Sequence, residues 1–395
     1  MLKGAELARF QKKVLGWFRQ FQRDLPWRRD KDPYRVWLSE IMLQQTRVAA
    51  VIPYYERFLQ RFPDVRALAE APQEEVLRLW SGLGYYSRAR NLQKAAQAIV
   101  ATQGGTFPKS MKDALALPGI GAYTAAAILS IAYGEELAVL DGNVARVLAR
   151  LGAIRGDLRE PKRWQALQDK ANSLLDRASP GDWNQAMMEL GATLCTPRSP
   201  QCLLCPVAES CEGRKLGIAE RLPEKRRKRE AVAVMLAAGV FVDTKGRTLL
   251  LAPPRRKDAA NSAGAADHVP TLVSKMWHFP TVSVSENPAQ ELERFVRTML
   301  GKNAGTLEME PADKVRHAVT YRDITIFPFR FSCKTLPRIA GAKALPLSDL
   351  SSLAISNLTR KVAASVLDEM KNTARERPPQ AGLAAAVRAA GAGNR

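Results

Sequence analysis

The chain has 395 residues, and its length predicts about two to three domains. The composition, 46% hydrophobic and 25% charged, is that of a globular, soluble protein. Lys and Arg number 60 against 39 Asp and Glu, which gives a formal net charge of +21. This excess favours a polyanionic partner, above all nucleic acid, although a merely basic or ribosome-like protein shares it.

The first ten residues lack the apolar core of a signal peptide. No segment has the length of uncharged apolar sequence that a membrane span needs. We therefore expect no membrane partner. The expected location is the cytoplasm, with nucleoid association in a bacterium, or the nucleus or an organelle in a eukaryote.

Up to about Arg214 the apolar residues recur at helical spacing. No long alternating strand pattern precedes residue 230. Pro26, Pro63 and Pro72 mark breaks between helices, because proline lacks the backbone N–H that a helix interior needs. The predicted helices cover residues 5–21, 36–50, 54–61, 74–80, 85–101, 123–133, 143–151, 162–177 and 183–194.

The run RLPEKRRKRE, residues 221–230, separates two kinds of pattern. It predicts a solvated linker, with phosphate contacts or a nuclear address as alternatives. Strands follow over 231–242, 248–251, 276–284 and 324–331, with helices over 291–300 and 359–371, so the second domain is of the α+β type. We expect 253–270 to form a long mobile loop and 373–395 a disordered tail.

The segment LPGIGAYTA, residues 117–125, joins a Pro-Gly-x-Gly turn to an apolar helix. Gly119 and Gly121 would let a phosphate oxygen approach the backbone N–H groups, and the helix N-terminus favours its negative charge. The segment therefore predicts a hairpin that holds the DNA backbone, although a lone turn of this kind can be an ordinary helix connection. The sequence LDGN, which places Asp141 downstream, strengthens the DNA-binding interpretation.

Together these segments resemble the helix-hairpin-helix DNA glycosylase superfamily, whose signature is this hairpin, a Gly-rich turn and a downstream aspartate. The resemblance implies that Asp141 lies at the mouth of a base pocket and takes part in catalysis. Asp141 is also a favourable N-cap for a helix that begins near Asn143, and the two roles are compatible.

Four of the five cysteines lie in one short stretch with the spacing C-x6-C-x2-C-x5-C. In an intracellular protein this pattern indicates a metal or cluster site and not a disulfide framework. The spacing alone leaves zinc open beside an iron–sulfur cluster. It is similar to the 4Fe–4S loop of the endonuclease III and MutY branches of the superfamily, which implies a 4Fe–4S cofactor. The four ligands would be Cys195, Cys202, Cys205 and Cys211, and Cys333 would be a core residue of the second domain.

Glu40 lies in the segment VWLSEIMLQQTRV, residues 36–48, among apolar neighbours. Such surroundings favour the neutral form of a carboxyl group, which suits a general acid, although a lone Glu is often a surface ion-pair residue. The segment resembles the one around the catalytic Glu of MutY adenine glycosylases. The resemblance implies that Gln45 and Thr46 wedge into the duplex at the mismatch.

Further substrate contacts also follow from the resemblance alone. The segment GLGYYSRARNL matches the same family, which implies that Tyr85 and Tyr86 pack near the extruded base or the opposite base. Adenine recognition would fall to Trp27, Arg28 and Gln185. A side-chain amide can pair with the donor and acceptor edge of adenine, although Gln185 could equally be a helix-surface residue.

Tyr123 stands where strand-cleaving relatives carry a Lys. An amine can form a Schiff base with the sugar, whereas a phenol cannot, so we expect base release without strand cleavage. Glu40 would protonate the adenine, Asp141 would stabilise the cationic sugar, and Asn143 and Tyr123 would orient the two carboxyl groups. The alternative for Tyr123 is a packed aromatic residue of the hairpin.

The second domain resembles the Nudix-like domain that reads 8-oxoguanine in MutY proteins. The family's recognition loop aligns with Val319, Thr320 and Tyr321, where Val replaces a Phe and makes the wedge smaller. No Glu-rich Nudix catalytic helix is present in the sequence, so the domain should bind nucleotides without hydrolysing them. Thr320 and Tyr321 would contact the lesion.

These patterns predict an all-α glycosylase region over 1–214, with a six-helix lobe at about 28–134 and a cluster lobe at about 1–27 and 135–214. A basic linker (215–230), a Nudix-like α+β domain (231–372) and the tail (373–395) follow. The expected protein is a monomeric, monofunctional glycosylase of base excision repair. It would remove adenine opposite 8-oxoguanine or guanine in double-stranded DNA. A thymine-mismatch glycosylase, a pyrimidine-lesion lyase and a catalytically silent mismatch sensor are the alternatives.

Overall fold

The computed structural model describes residues 2–224, 230–253, 276–301, 308–319 and 321–376. The chain divides into two compact units, Met1–Lys228 and Arg229–Arg395. The first is helical and the second combines a sheet with helices, so the predicted fold class is confirmed. The boundary lies inside the segment predicted as a linker; the finer domain boundaries stay predictions. Among the described residues, no helix is both long and apolar enough to cross a bilayer.

The helical unit begins with α1, and four of its described helices start at a residue whose side chain accepts a hydrogen bond from a free backbone N–H group. Asp32, Asp64 and Ser110 accept such hydrogen bonds at the starts of α2, α4 and α7. The helices are α1 Gly4–Phe21, α2 Pro33–Leu43, α3 Val48–Arg61, α4 Val65–Glu70, α5 Gln73–Leu79, α6 Ser87–Gln103, α7 Met111–Leu115, α8 Ala122–Tyr133, α9 Gly142–Leu151, α10 Pro161–Leu174, α11 Pro180–Thr193 and α12 Glu212–Lys215.

The helix predicted over 36–50 is wrong in its second half. The structure ends α2 at Leu43 and starts α3 at Val48, with a turn between them. Gln45 in that turn has a φ of 56°, a left-handed conformation that an α-helix cannot accommodate. The next predicted helix, 54–61, belongs to α3, which runs through Pro53 at the cost of one backbone hydrogen bond.

Helix α2 lies at the centre of the helical unit and is buried on nearly all sides, from Tyr34 to Met42. It packs against α8, whose run of small residues lets two helices approach closely. Helix α11 packs on α8 and α9. A Cβ on Gly191 of α11 would lie 2.7 Å from the Cβ of Asn143, so only glycine allows this approach. These contacts bring α2, α8, α9 and α11 together around one cavity.

The second unit is built on a sheet with the strand order β3-β1-β6-β4, and β5 pairs with β6. The long strands β1 and β6 are parallel, from Val232 opposite Arg322 to Asp243 opposite Cys333. A two-stranded sheet joins β2 and β7. The elements are β1 Val232–Asp243, β2 Arg247–Leu251, β3 Thr281–Ser283, α13 Pro288–Leu300, β4 Met309–Pro311, β5 Val315–Val319, β6 Arg322–Cys333, β7 Ala342–Pro346 and α14 Asn357–Glu376.

The alternation of β1 distributes its side chains over two cores. Leu236 and Val240 face a core that includes residues of α14. Ala237 and Phe241 face the other, which includes residues of α13. Successive residues of a strand point to opposite faces, so the sheet is covered by a helix on each side.

Two predictions for this unit are changed by the structure, and a third is not tested. The strand predicted over 276–284 is reduced to Thr281–Ser283, because Pro280 has no N–H for the ladder. Helix α14 continues to Glu376, past the predicted start of the tail. Apart from Pro253, the predicted loop at 253–270 lies outside the described residues, as do residues 377–395.

Candidate active site

A cavity of about 350 Å³ opens between α2, α8, α9 and α11. Two walls face each other across it: the α2 wall carries Glu40, and the α11 wall carries Gln185, Met188 and Glu189. The structure brings most of the predicted catalytic and substrate-binding residues to this one place. Those that line the cavity are Trp27, Arg28, Glu40, Gln45, Thr46, Tyr123, Asp141, Asn143 and Gln185.

Glu40 is buried in the last turns of α2, with only 8% of its surface exposed. The Tyr123 hydroxyl of α8 donates to Glu40 Oε2 at 2.8 Å, and its Oη lies 3.2 Å from the Met188 sulfur. Burial raises the pKa of Glu40 to about 7, and the charge of Asp141 acts in the same direction. The Tyr123 hydrogen bond opposes the shift. The pocket thus holds a carboxyl group that can carry a proton near neutral pH.

Asp141 lies at the N-terminus of α9, where its Oδ1 accepts from the backbone N–H of Val144 at 2.7 Å. Its Oδ2 accepts from the Asn143 amide at 2.9 Å. Burial raises the pKa of Asp141, while these hydrogen bonds and the charge of Arg146 oppose that effect. Asp141 is therefore an N-cap and a pocket residue at once, and its carboxylate is fixed beside the cavity.

Arg28 and Trp27 come from the short 3-10 helix Pro26–Arg28. Arg28 donates to Glu189 Oε2 at 2.8 Å, and Arg23 donates to both Glu189 oxygens at 2.7 Å. Trp27 is buried and packs edge-on against Tyr55, with ring centroids 5.3 Å apart. Arg28 is thus held in an ion pair at the cavity wall, a contact that the sequence did not indicate.

Glu189 keeps its charge although its side chain is only 1% exposed. Burial opposes ionisation, but the hydrogen bonds from Arg23 and Arg28 outweigh it and lower the pKa of Glu189 to about 2. Sequence reasoning missed Glu189 and Met188. Helical spacing could have identified them, since Gln185, Met188 and Glu189 stand at i, i+3 and i+4 and so share one helix face.

The hairpin glycines lie outside this cavity and differ from each other. Gly119 has a φ of 80°, and a Cβ there would lie 2.8 Å from Asn91 Cβ, so the fold itself requires glycine. Gly121 has an ordinary φ and open space where a Cβ would be. Its backbone begins α8, where Ala125 N–H bonds the Gly121 carbonyl at 2.9 Å. The open space at Gly121 leaves room for an external group beside a helix N-terminus.

Of the four predicted wedge and stacking residues, only Gln45 and Thr46 line the cavity. Tyr85 is 44% exposed at the tip of the neighbouring turn, with a left-handed φ of 47°. Tyr86 turns back, and its hydroxyl accepts from Gly82 N–H at 3.3 Å. Tyr85 is therefore free to meet a ligand, whereas Tyr86 supports its own turn.

Tyr321 lies in the turn between β5 and β6, and its side chain is 40% exposed. Its carbonyl accepts from Val232 N–H at 2.8 Å, and the Arg322 guanidinium lies over its ring. Thr320, predicted as a second lesion contact, lies outside the described residues.

The four cysteines follow α11 and are partly buried. Arg150 donates to Cys195 Sγ at 3.3 Å, and Arg146 donates to the Cys195 carbonyl. Burial raises the pKa of Cys205 to about 11, and the three neighbouring thiols add to this effect, so the four sulfurs lie near one another. Such a set can ionise only against a positive group bound between the sulfurs.

The donor set at this place is made of four thiols, with the Arg150 guanidinium beside Cys195 Sγ. Four cysteine thiolates are the usual ligands of an iron–sulfur cluster, and they also hold zinc in structural sites. The residues present therefore fit the iron–sulfur cofactor that the resemblance implied.

Two parts of the chain match known families. Residues 38–172 match the HhH-GPD superfamily of base excision DNA repair proteins. Residues 195–211, from the first to the last of the four cysteines, match the iron–sulfur binding domain of endonuclease III. The predicted iron–sulfur cofactor is thereby confirmed.

The chain is also similar to several adenine DNA glycosylases. It is 49% identical over 227 residues to the Homo sapiens protein, covering 55% of this chain and 42% of the relative. It is 40% identical over 221 residues to that of Buchnera aphidicola subsp. Schizaphis graminum, covering 56% and 64%. For Arabidopsis thaliana the identity is 42% over 234 residues, covering 53% and 37%. The chain spans less than two thirds of the length of each.

Among solved structures, a thermostable thymine-DNA glycosylase is 29% identical, with a TM-score of 0.49, covering 53% of this chain and 97% of that one. The family matches include both pocket residues with raised carboxyl pKa values, Glu40 and Asp141, and all four cysteines. Residues 38–172 are therefore similar to the HhH-GPD superfamily of base excision DNA repair proteins, and residues 195–211 are similar to the iron–sulfur binding domain of endonuclease III.

Proposed function

We propose that the protein is a monofunctional adenine DNA glycosylase, which removes adenine mispaired with 8-oxoguanine or guanine. The observation that carries the proposal is the pair of buried carboxyl groups, Glu40 and Asp141, in one cavity. Glu40 has a pKa of about 7 and accepts a hydrogen bond from Tyr123. Burial raises the pKa of Asp141, whereas its hydrogen bonds from Val144 N–H and Asn143 favour the anion. The similarity to adenine DNA glycosylases supports the choice of base.

The reaction begins with a proton from Glu40. Adenine is a poor leaving group until a ring nitrogen is protonated, and a neutral carboxyl group beside the base can supply that proton. Tyr123 binds Oε2 and so leaves Oε1 free to face the base. The electron pair of the glycosidic bond then leaves with the adenine, and the sugar gains oxocarbenium character.

Asp141 stabilises that positive sugar. An anion fixed before the reaction contributes several kcal/mol without reorganising during it. The Asn143 amide and the α9 backbone fix Asp141 in this position. Water completes the reaction by adding to the sugar carbon, and the Glu40 carboxylate accepts its proton, which restores the starting state.

The strand should stay intact after base release. Strand cleavage of the lyase type needs an amine that attacks the sugar and forms a Schiff base. The hairpin helix offers the Tyr123 phenol at this place, and its pKa is raised well above normal by burial and by Glu40. A neutral phenol donates a hydrogen bond but does not form a Schiff base.

The DNA backbone would be held by the hairpin, where Gly121 leaves open space at the start of α8. The cluster, held by Cys195, Cys202, Cys205 and Cys211, would fold the loop after α11 and present its basic residues to phosphates. In the second unit, Tyr321 and Thr320 would read the base opposite the adenine. The partner is thus double-stranded DNA, and we expect the protein to act as a monomer.

The test uses three duplexes with adenine opposite 8-oxoguanine, guanine or thymine. Each reaction is divided, and one half is treated with hot alkali, which cuts the strand at abasic sites. We expect cuts opposite 8-oxoguanine and guanine, only after alkali, and none with Glu40→Gln. Cuts without alkali would contradict the monofunctional assignment. A parallel duplex with thymine opposite guanine tests the thymine glycosylase alternative.

A further inference from the structure

Arg88 joins two turns that lie beside the cavity mouth. It stands in the first turn of α6 and is 9% exposed. Its Nη1 donates to the carbonyls of Ile41, Met42 and Gln44 at 2.8, 2.9 and 2.5 Å. Its Nη2 donates at 3.2 Å to Thr46 Oγ1 and to the carbonyls of Leu83 and Gly84. One guanidinium therefore holds the turn after α2 (residues 44–47, the first turn) and the turn before α6 (residues 82–86, the second turn).

Each of these turns has an exposed residue with a left-handed backbone at its tip. Gln45 at the tip of the first turn has a φ of 56°, and Tyr85 at the tip of the second has a φ of 47°. A left-handed backbone conformation is unfavourable by about 1 kcal/mol or more for a residue other than glycine. Such conformations persist only where surrounding contacts fix them, and Arg88 supplies contacts to both turns.

The contacts between Arg88 and the two turns require an arginine. A guanidinium offers five N–H donors in one plane, whereas an ammonium offers three from one point. The Arg88 plane also lies over the rings of Trp80 and Tyr85, at 5.4 and 5.6 Å from their centroids. Burial lowers the pKa of Arg88 to about 10, so the group stays charged near neutral pH. The positive charge also suits the free carbonyls at the end of α2.

When a base leaves a duplex, it vacates space between its neighbours. Side chains that enter this space support the opened stack, and aromatic rings and amides can lie against base faces. Gln45 lines the cavity mouth, and Tyr85 is the exposed aromatic residue of the adjacent turn. Both tips must be fixed beforehand if they are to enter the same gap.

We propose that Arg88 is a positioning residue that clamps both turns, so that Gln45 and Tyr85 together fill the space vacated by the extruded base. The proposal rests on the proposed base-extruding function. Arg88 acts through the two tips and does not touch the reacting atoms. Its loss should therefore impair the opening of the duplex far more than the bond cleavage that follows.

The test compares two substrates in single turnover: adenine opposite 8-oxoguanine in a duplex, and adenine in a single-nucleotide bulge, where the target has no partner to leave. For Arg88→Lys we expect the duplex rate to fall at least about 10-fold and the bulge rate to change far less. Equal losses on both substrates, or no loss on the duplex, would overturn the proposal.

Gln93→Met is the matched control. Gln93 is buried on the same helix, and its amide donates to the Ala71 carbonyl at 2.6 Å, away from both tips. Its loss should lower thermal stability without changing the ratio of the duplex and bulge rates. A changed ratio in this variant would mean that general loosening of α6 explains the effect, which also overturns the proposal.

A second readout is independent of catalysis. With 2-aminopurine placed beside the target, binding by the wild-type protein should raise its fluorescence as the stack opens, and Arg88→Lys should reduce this rise. If the wild-type protein releases no adenine, the proposed function fails while the fluorescence still tests Arg88. If Arg88→Lys does not fold, Gln45→Ala and Tyr85→Ala should each show the selective duplex loss. Equal duplex and bulge losses in both would overturn the proposal.

Discussion

The α2 wall and the α11 wall of the cavity each carry a buried carboxyl group, and the pKa values of the two groups are shifted in opposite directions. Glu40 on α2 has a phenol as its hydrogen-bond donor, and its pKa rises to about 7. Glu189 on α11 has two arginines, and its pKa falls to about 2. Burial acts on both in the same direction, so the partner decides the outcome. One wall can donate a proton, whereas the other holds fixed charge.

The largest expected effects separate the two walls. Glu40→Gln should reduce adenine release by roughly 10²–10⁴-fold, the usual contribution of a general acid, with the fold retained. Glu189→Gln should destabilise the protein by roughly 3 kcal/mol, because it leaves Arg28 unpaired while the more exposed Arg23 is rehydrated. Single-turnover rates and thermal melting measure both. Similar changes in rate and in thermal stability in the two variants would contradict the assignment of a proton donor to one wall and a fixed charge to the other.

The pH dependence of stability should have opposite signs for the two groups. The folded protein keeps the Glu40 proton up to about pH 7, whereas the unfolded chain releases it near 4.5. The Glu40 contribution to the free energy of unfolding therefore falls as pH rises between these values. The Glu189 contribution is present above 4.5 and is lost as pH falls toward about 2.

Glu40→Gln isolates the first of these effects. The pKa difference corresponds to a few kcal/mol, so the variant should gain stability relative to wild type when melting is compared at about pH 5 and about pH 8. Wild-type adenine release should decline as pH rises through about 7, where Glu40 loses its proton. An unchanged stability difference across this range would show that Glu40 is not buried as a neutral acid.

Tyr123→Phe should have a smaller effect that sharpens the comparison further. The Tyr123 hydrogen bond favours the Glu40 carboxylate, so its removal should raise the pKa of Glu40 further. We expect the alkaline limb of the pH–rate profile to move to higher pH, with a rate loss of roughly 10-fold from poorer positioning of the acid. A shift to lower pH would contradict this role of the phenol.

The local elements were predictable because their causes are local. Apolar spacing located most helices, and the Pro-Gly-x-Gly turn preceded α8 as expected. The end of α2 at Leu43 was not predictable, because Arg88, more than forty residues away in the sequence, donates to the carbonyls of Ile41 and Met42 beside it. The ion pair of Arg28 with Glu189 joins still more distant segments. Contacts of this kind depend on the fold and leave little trace in local patterns.

The smallest expected effect lies in the second unit. Tyr321→Ala should reduce the preference for adenine opposite 8-oxoguanine over adenine opposite guanine by a few fold, about 1 kcal/mol, which is within the range for one lost base contact. Tyr321→Phe is the control, because it keeps the ring and removes only the hydroxyl. Since Tyr321 lies in a different unit from Glu40, the rate of bond cleavage itself should not change. The ratio of single-turnover rates on the two duplexes measures this preference. An equal loss of rate on both duplexes would mean that Tyr321 contributes to DNA binding in general, and that other residues recognise 8-oxoguanine.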